Sequence, residues 1–169
     1  DVDNETPSEV YTWTNVTTGQ TLASGVSGSL DLSLFTLTTN DEIECSLTAT
    51  DGDGATATAT DSVLIQNTAP TVSNVVISPS NPNNSETVTC TATIVDPDGD
   101  PTTDVYTWVN NTTGSTILTG SDTLDLSTTS AVPGDQISCE VSATDTVGLT
   151  GTDSGSVTVA NRTPIVTAV

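Results

Sequence analysis

Apolar residues alternate with Thr and Ser along most of the chain, at the two-residue period of half-buried β-strands. Over 86–95, Val88, Cys90, Ala92 and Ile94 fall on one face; over 136–144, Ile137, Cys139, Val141 and Ala143 do so. The same alternation predicts strands at 71–77, through Trp108, at 116–119, at 123–127 and at 152–160. Between them lie stretches with turn chemistry: 78–84, the acidic run Asp96-Pro97-Asp98-Gly99-Asp100-Pro101, 110–114, 132–135 and 145–151. No helix is expected. Thr fills the outward positions, where a β-branched polar side chain suits a half-exposed strand.

The pattern occurs twice. Val10-Tyr11-Thr12-Trp13 returns as Val105-Tyr106-Thr107-Trp108, 95 positions on. Leu30-Asp31-Leu32-Ser33 returns as Leu124-Asp125-Leu126-Ser127, and Ala49-Thr50-Asp51 as Ala143-Thr144-Asp145, each 94 positions on. Asn67-Thr68-Ala69-Pro70 returns as Asn161-Arg162-Thr163-Pro164. One complete repeat is therefore expected over 67–160, preceded over 1–66 by a repeat lacking its first two strands, with a third beginning at 161–169.

Charge narrows the function. The chain carries 22 acidic residues, one basic residue (Arg162) and no His, for a net charge of −21. Nothing could neutralise phosphates, so nucleic acid is excluded as a partner, and an anionic membrane surface is disfavoured for the same reason. Without His or Lys, most acid–base and nucleophile-activation schemes are lost. A surface so charged repels itself unless cations sit on it. No apolar run approaches the ~20 residues of a membrane span, so no direct insertion is expected. The chain has neither an initiator Met nor a leader-like segment, and reads as mature or excerpted.

Cys90, Trp108 and Cys139 stand on the second, third and sixth predicted strands of the complete repeat. This resembles the Cys…Trp…Cys arrangement of immunoglobulin-like domains, whose length of ~100 residues is close to the period found here. The Tyr-x-Trp strand, the segment 48–55 (Thr-Ala-Thr-Asp-Gly-Asp-Gly-Ala) and the Asn-Thr-Ala-Pro linker resemble tandem immunoglobulin-like repeats of microbial surface or filament proteins, PKD-like and cadherin-like types among them. The resemblance implies an all-β fold of tandem antiparallel sandwiches, a Cys90–Cys139 disulfide with Trp108 against it, an extracellular location, and an adhesin, stalk or filament rather than a catalyst. Two buried free thiols are the alternative to the bridge. Ile137 stands where antibody-type domains carry Tyr, and Val109 to Gly114 stand where PKD repeats usually continue into Gly-Asp-Gly.

In a sandwich of that topology the loops after the second and sixth strands share an end with the incoming chain. Asp96, Asp98 and Asp100 would there meet Asp145 and Asn67; in the first repeat Asp1, Asp3 and Glu5 would meet Asp51 and Asp53. Hard oxygen donors in such number suit Ca²⁺, which takes about six to eight oxygens, better than Mg²⁺. Zn²⁺ is disfavoured by the absence of His. The Asp-x-Asp-Gly-Asp spacing opens like an EF-hand loop, but no helices flank it and no Glu closes it. The competing interpretation is a solvated acidic turn. Asp104 and Glu9 are weaker ligand candidates; Asp31, Asp41, Asp125 and Asp135 are expected to serve turns or the surface. Six Asn-x-Ser/Thr sites, at Asn4, Asn15, Asn83, Asn110, Asn111 and Asn161, are possible glycan acceptors.

These features favour a structural repeat of an extracellular, calcium-stiffened fibre, filament or cell-surface stalk, whose partners are further copies of the repeat. A carbohydrate- or protein-binding adhesin module is the alternative. An enzyme is not expected, because the chain has five aromatic side chains and two of them, Trp13 and Trp108, are assigned to cores. The first repeat offers Cys45 no partner, so the chain is expected to be an excerpt of a longer polypeptide; strands donated by a neighbouring copy are the competing expectation.

Overall fold

The computed structural model describes residues 6–164, which divide into two compact units between Asn67 and Thr68. The expected ligands Asp1, Asp3 and Glu5, the sequon at Asn4 and positions 165–169 of the expected third-repeat start lie outside the described residues.

The second unit is an antiparallel two-sheet sandwich. Strands β5 (Thr71–Ser78), β6 (Thr87–Val95) and β9 (Thr123–Asp125) form one sheet in the order β5-β6-β9. Strands β7 (Thr103–Asn110), β8 (Ser115–Thr119), β10 (Gln136–Thr144) and β11 (Thr150–Thr158) form the other in the order β11-β10-β7-β8. The alternating residues behave as the pattern demands: Val88, Cys90, Ile137, Cys139, Val141 and Ala143 are all buried. Trp108, with no exposed surface, sits among them and donates its indole N–H to the Ser121 carbonyl at 2.9 Å. Cys90 and Cys139 form the bridge between the sheets, with their Cα atoms 6.4 Å apart, inside the range a disulfide can span.

The expected strand at 123–127 is shorter than its alternation suggests. After Asp125 the chain turns into a 3-10 turn, Leu126–Thr128. The Asp125 carboxylate accepts from the Ser127 amide and hydroxyl, and this local cap outcompetes the sheet ladder. At 145–151 the expected loop is tighter, because β11 already begins at Thr150.

β5 crosses β11 at close range. Its register against β6 slips between Ser73 and Val76, where Asn74 takes a left-handed φ of 53°. A Cβ at Gly151 would collide with the Pro70 carbonyl oxygen, and one at Gly155 would lie 2.6 Å from that of Val75. Only glycine lets the two backbones meet this way.

The first unit is a single four-stranded sheet. Strands β1 (Ser8–Asn15), β2 (Gln20–Gly25), β3 (Glu42–Thr50) and β4 (Thr56–Leu64) run in the order β2-β1-β3-β4. They repeat β7, β8, β10 and β11 in register: Trp13 pairs with Cys45 as Trp108 pairs with Cys139. The irregularity after Trp13 recurs after Trp108. Among the described residues nothing corresponds to β5 and β6, and Cys45 is a free thiol.

Candidate functional site

The acidic residues singled out by the sequence serve first as turn organisers. In 96–100, Asp96 Oδ1 accepts from the amides of Asp98 (2.9 Å) and Asp100 (3.2 Å), while Gly99, at φ 78°, donates its N–H back to the Asp96 carbonyl. The positive φ is why glycine occupies that position. Asp98 Oδ2 accepts from the Thr68 amide at 2.6 Å, tying the loop to the segment that leads into β5. Asp104 accepts from the Thr102 hydroxyl.

The β10–β11 hairpin is organised by Asp145. Its buried carboxylate accepts from the amides of Val147, Gly148 and Leu149 at 2.7–2.9 Å. The β3–β4 hairpin repeats this device with Asp51, whose carboxylate accepts from the amides of Asp53 (3.0 Å) and Ala55 (2.7 Å). Such side-chain-to-amide bonds are the general reason Asp favours tight turns. Asn67, the last residue of the first unit, accepts from the Thr39 hydroxyl at 3.2 Å. Among the described residues no group of three His, Cys, Asp or Glu side chains is gathered as a metal ion requires. One observation points the other way: Asp96 Oδ2 is buried and has no hydrogen-bond partner. A shielded carboxylate oxygen left in that state is costly, and a cation would satisfy it.

A second polar constellation escaped the sequence reading. Asn15 donates through Nδ2 to Asp41 at 2.9 Å, and Asn110 to Asp135 at 2.8 Å; all four residues are buried. Each asparagine Oδ1 then accepts from the following turn, at Thr18 in one unit and at Thr112 and Thr113 in the other. Each aspartate also accepts an amide from the turn before its strand, Thr38 or Val132. The Thr38 amide holds the Asp41 carboxyl below its ordinary value of 3.8, against the opposing effect of burial, with Asn15 assisting. Asp31, on the surface, is likewise lowered by the hydroxyl and amide of Ser33. Asp41 and Asp135 serve turns, as expected, and do so from inside the fold. One expectation is corrected. Asn15 and Asn110 are not glycan acceptors in the folded chain, because their amide nitrogens are buried and already donating. Asn111 and Asn161 are exposed, and Asn83 donates to Glu86. The signal that could have revealed the pairs was present: Asn and Asp recur together at the 94–95-residue offset.

No protein-family model matches the chain, and no curated protein matches it significantly. Among solved structures, the chain is similar to the tetra-tandem repeat in the extending region of a large adhesion protein, at 15% identity and a TM-score of 0.40, covering 92% of this chain and 42% of that one. It is similar to a structure bearing on host cell surface retention of a 1.5-MDa bacterial ice-binding adhesin, at 19% identity and a TM-score of 0.36, covering 92% and 54%. It is also similar to a Ca²⁺-stabilised adhesin that helps an Antarctic bacterium reach out and bind ice, at 23% identity and a TM-score of 0.32, covering 93% and 41%. The chain thus spans about half, or less, of each of those proteins. At such identities and scores the likenesses carry no statement about what this chain binds.

Proposed function

We propose that the chain is a structural repeat segment of an extracellular fibre or cell-surface stalk, with Ca²⁺ stiffening its acidic loops. The observation that carries this is recurrence: one four-stranded framework is built twice, with the same Trp–Cys register, the same irregularity after Trp and the same buried Asn–Asp pair. Only 65–70 separate β4 from β5, a linker too short to house a further element. Repeats built this way suit a load-bearing array, in which each copy need only be stable and joined to the next. The Cys90–Cys139 disulfide supports an oxidising, extracellular compartment.

The calcium component rests on Asp96, whose buried, unpartnered oxygen supplies one anionic ligand. Asp98 and Asp100 of the same loop, with Asp145 of the β10–β11 hairpin, are the carboxylates proposed to complete the set in the second unit. A bound cation would neutralise the loop and tighten its turn. Electron microscopy of the native material, with and without a chelator, tests the whole: extended particles with a regular repeat are expected, and compact isolated particles would refute the fibre. Thermal unfolding in excess chelator tests the metal separately. The melting temperature should fall, and Ca²⁺ at 100 times its dissociation constant should restore about 2.7 kcal/mol; an unchanged curve removes calcium and leaves the structural role standing.

A further inference from the structure

The two units differ most where they should match. Trp108, Cys139, Val141 and Ala143 are fully buried under β5 and β6, whereas their equivalents Trp13, Cys45, Leu47 and Ala49 are only half-buried. Val157 is 9% exposed and its equivalent Val63 is 56% exposed. The strand edge that β6 pairs with is also left waiting. Thr123–Asp125 is a strand because it pairs with Thr87–Thr89; its equivalent 29–31 joins no strand, although the 3-10 turn after it has the same cap geometry, with Asp31 at φ −86°, ψ 106° against −83°, 104° for Asp125. The receiving face, its edge and its thiol are therefore formed without their cover.

The second unit shows what chemistry fits: a strand with apolar residues at every second position and a cysteine opposite the one on the receiving sheet. It also shows what does not fit. β5 passes over β11 only because Gly151 and Gly155 have no side chains. By the register of β4 on β3 and of β11 on β10, the equivalents in the first unit are Ala57, paired with Ala49, and Asp61, paired with Cys45. A backbone following the path of β5 would run into both side chains. Asp61 moreover places a charge on that path, a device that keeps strands from adding to an edge.

We propose that the face of Trp13, Cys45, Leu47 and Ala49 takes a single cysteine-bearing strand of the β6 kind, with apolar residues at alternate positions, and that Ala57 and Asp61 exclude a second strand from crossing β4. The incoming cysteine forms a disulfide with Cys45; the two thiols lose two protons and two electrons to a disulfide oxidant such as oxidised glutathione. β4 then stays a solvated edge, so the first unit is a sandwich of different outline from the second.

The test uses the chain with a synthetic peptide of residues 85–95 in a glutathione redox buffer. Peptide mapping should find the mixed disulfide at Cys45 in roughly tenfold excess over a scrambled peptide of the same composition. Equal yields, or Cys45–Cys45 dimers in place of the peptide adduct, would overturn the proposal. A second arm copies residues 67–95 ahead of Asp1. Hydrogen exchange should protect the copy of 87–95 and leave the copy of 71–78 unprotected, and Ala57→Gly with Asp61→Gly should extend protection to the latter. Protection of both copied strands with Ala57 and Asp61 in place would refute the exclusion. Should the extended chain not fold, peptide capture decides the receiving face, and the exclusion is decided by a peptide of residues 68–95: its copy of 71–78 should gain protection only on the Ala57→Gly, Asp61→Gly chain.

Discussion

Reduction of the Cys90–Cys139 bridge should separate the two units thermally. The bridge closes a loop with a sequence separation of 49. The chain-entropy relation then assigns it about 4 kcal/mol of stabilisation at 25 °C, through restriction of the unfolded chain. For a unit of this size each kcal/mol moves the midpoint by about 4–8 °C, so reduction should lower the second unit's transition by about 15–30 °C. The first unit has no disulfide among its described residues and provides an internal control. The assay is thermal unfolding followed by tryptophan emission, with and without reductant, in a Trp13→Phe background, where Trp108 reports the second unit, and in a Trp108→Phe background, where Trp13 reports the first. A Cys90→Ala/Cys139→Ala double variant, insensitive to reductant, checks for side effects. It is preferable to a single substitution, which would leave a freed thiol able to pair with Cys45. A shift of less than about 5 °C would refute the reasoning, because the loop entropy would then be offset by structure persisting in the reduced chain.

Other perturbations address the contacts that shape each unit. Gly155→Ala sets a methyl 2.6 Å from the Val75 carbonyl oxygen, and should destabilise the second unit by about 1–3 kcal/mol in urea titration; a neutral result would mean β5 is free to shift. Asn110→Ala strips the buried Asp135 carboxylate of its side-chain donor and should cost about 1–3 kcal/mol by the same assay. For Asp41 the folded pKa lies below 3.8. Its contribution is thus complete above the unfolded value and is lost as pH falls through the lower, folded one. Asp41→Asn should abolish that part of the acid sensitivity, read as the difference between variant and parent midpoints from pH 6 to pH 2; parallel curves would contradict the assignment.

Period-two alternation located the strands because threonine and the aliphatic residues leave little ambiguity about which face is buried. The 94–95-residue recurrence exposed the shared framework, because the Tyr-x-Trp strand and the Cys-bearing strand return at the same spacing and pair in the same register. Less could be read where local hydrogen bonding competes with the pattern. Leu126 and Ser127 continue the alternation of β9, yet Asp125 draws them into a 3-10 turn. Only an assumed topology groups the carboxylates at 96–100 with Asp145. Composition could not reveal that Asp96 and Asp145 would turn inward to their own loop amides, a choice set by backbone direction at Gly99 and Gly148. Nor could the sequence pattern distinguish Gly151 and Gly155 from ordinary turn glycines, since their role depends on a strand some eighty positions earlier in the chain.

The disulfide also fixes how the second unit would yield under tension. Force applied at the ends of the chain passes from residue 90 to residue 139 through one sulfur–sulfur bond, so the 49-residue separation between them is shielded. At about 3.3–3.6 Å per extended residue, roughly 170 Å of contour is held in reserve. An oxidised unit therefore gives way in a short step and remains anchored across its core, whereas a reduced one pays out its full length. Single-molecule pulling should show the step lengthen by that amount when reductant is added, and steps of equal length would contradict it. For a protein under repeated pulling, this reserve limits slack and keeps the sheets near enough to refold when the load is released.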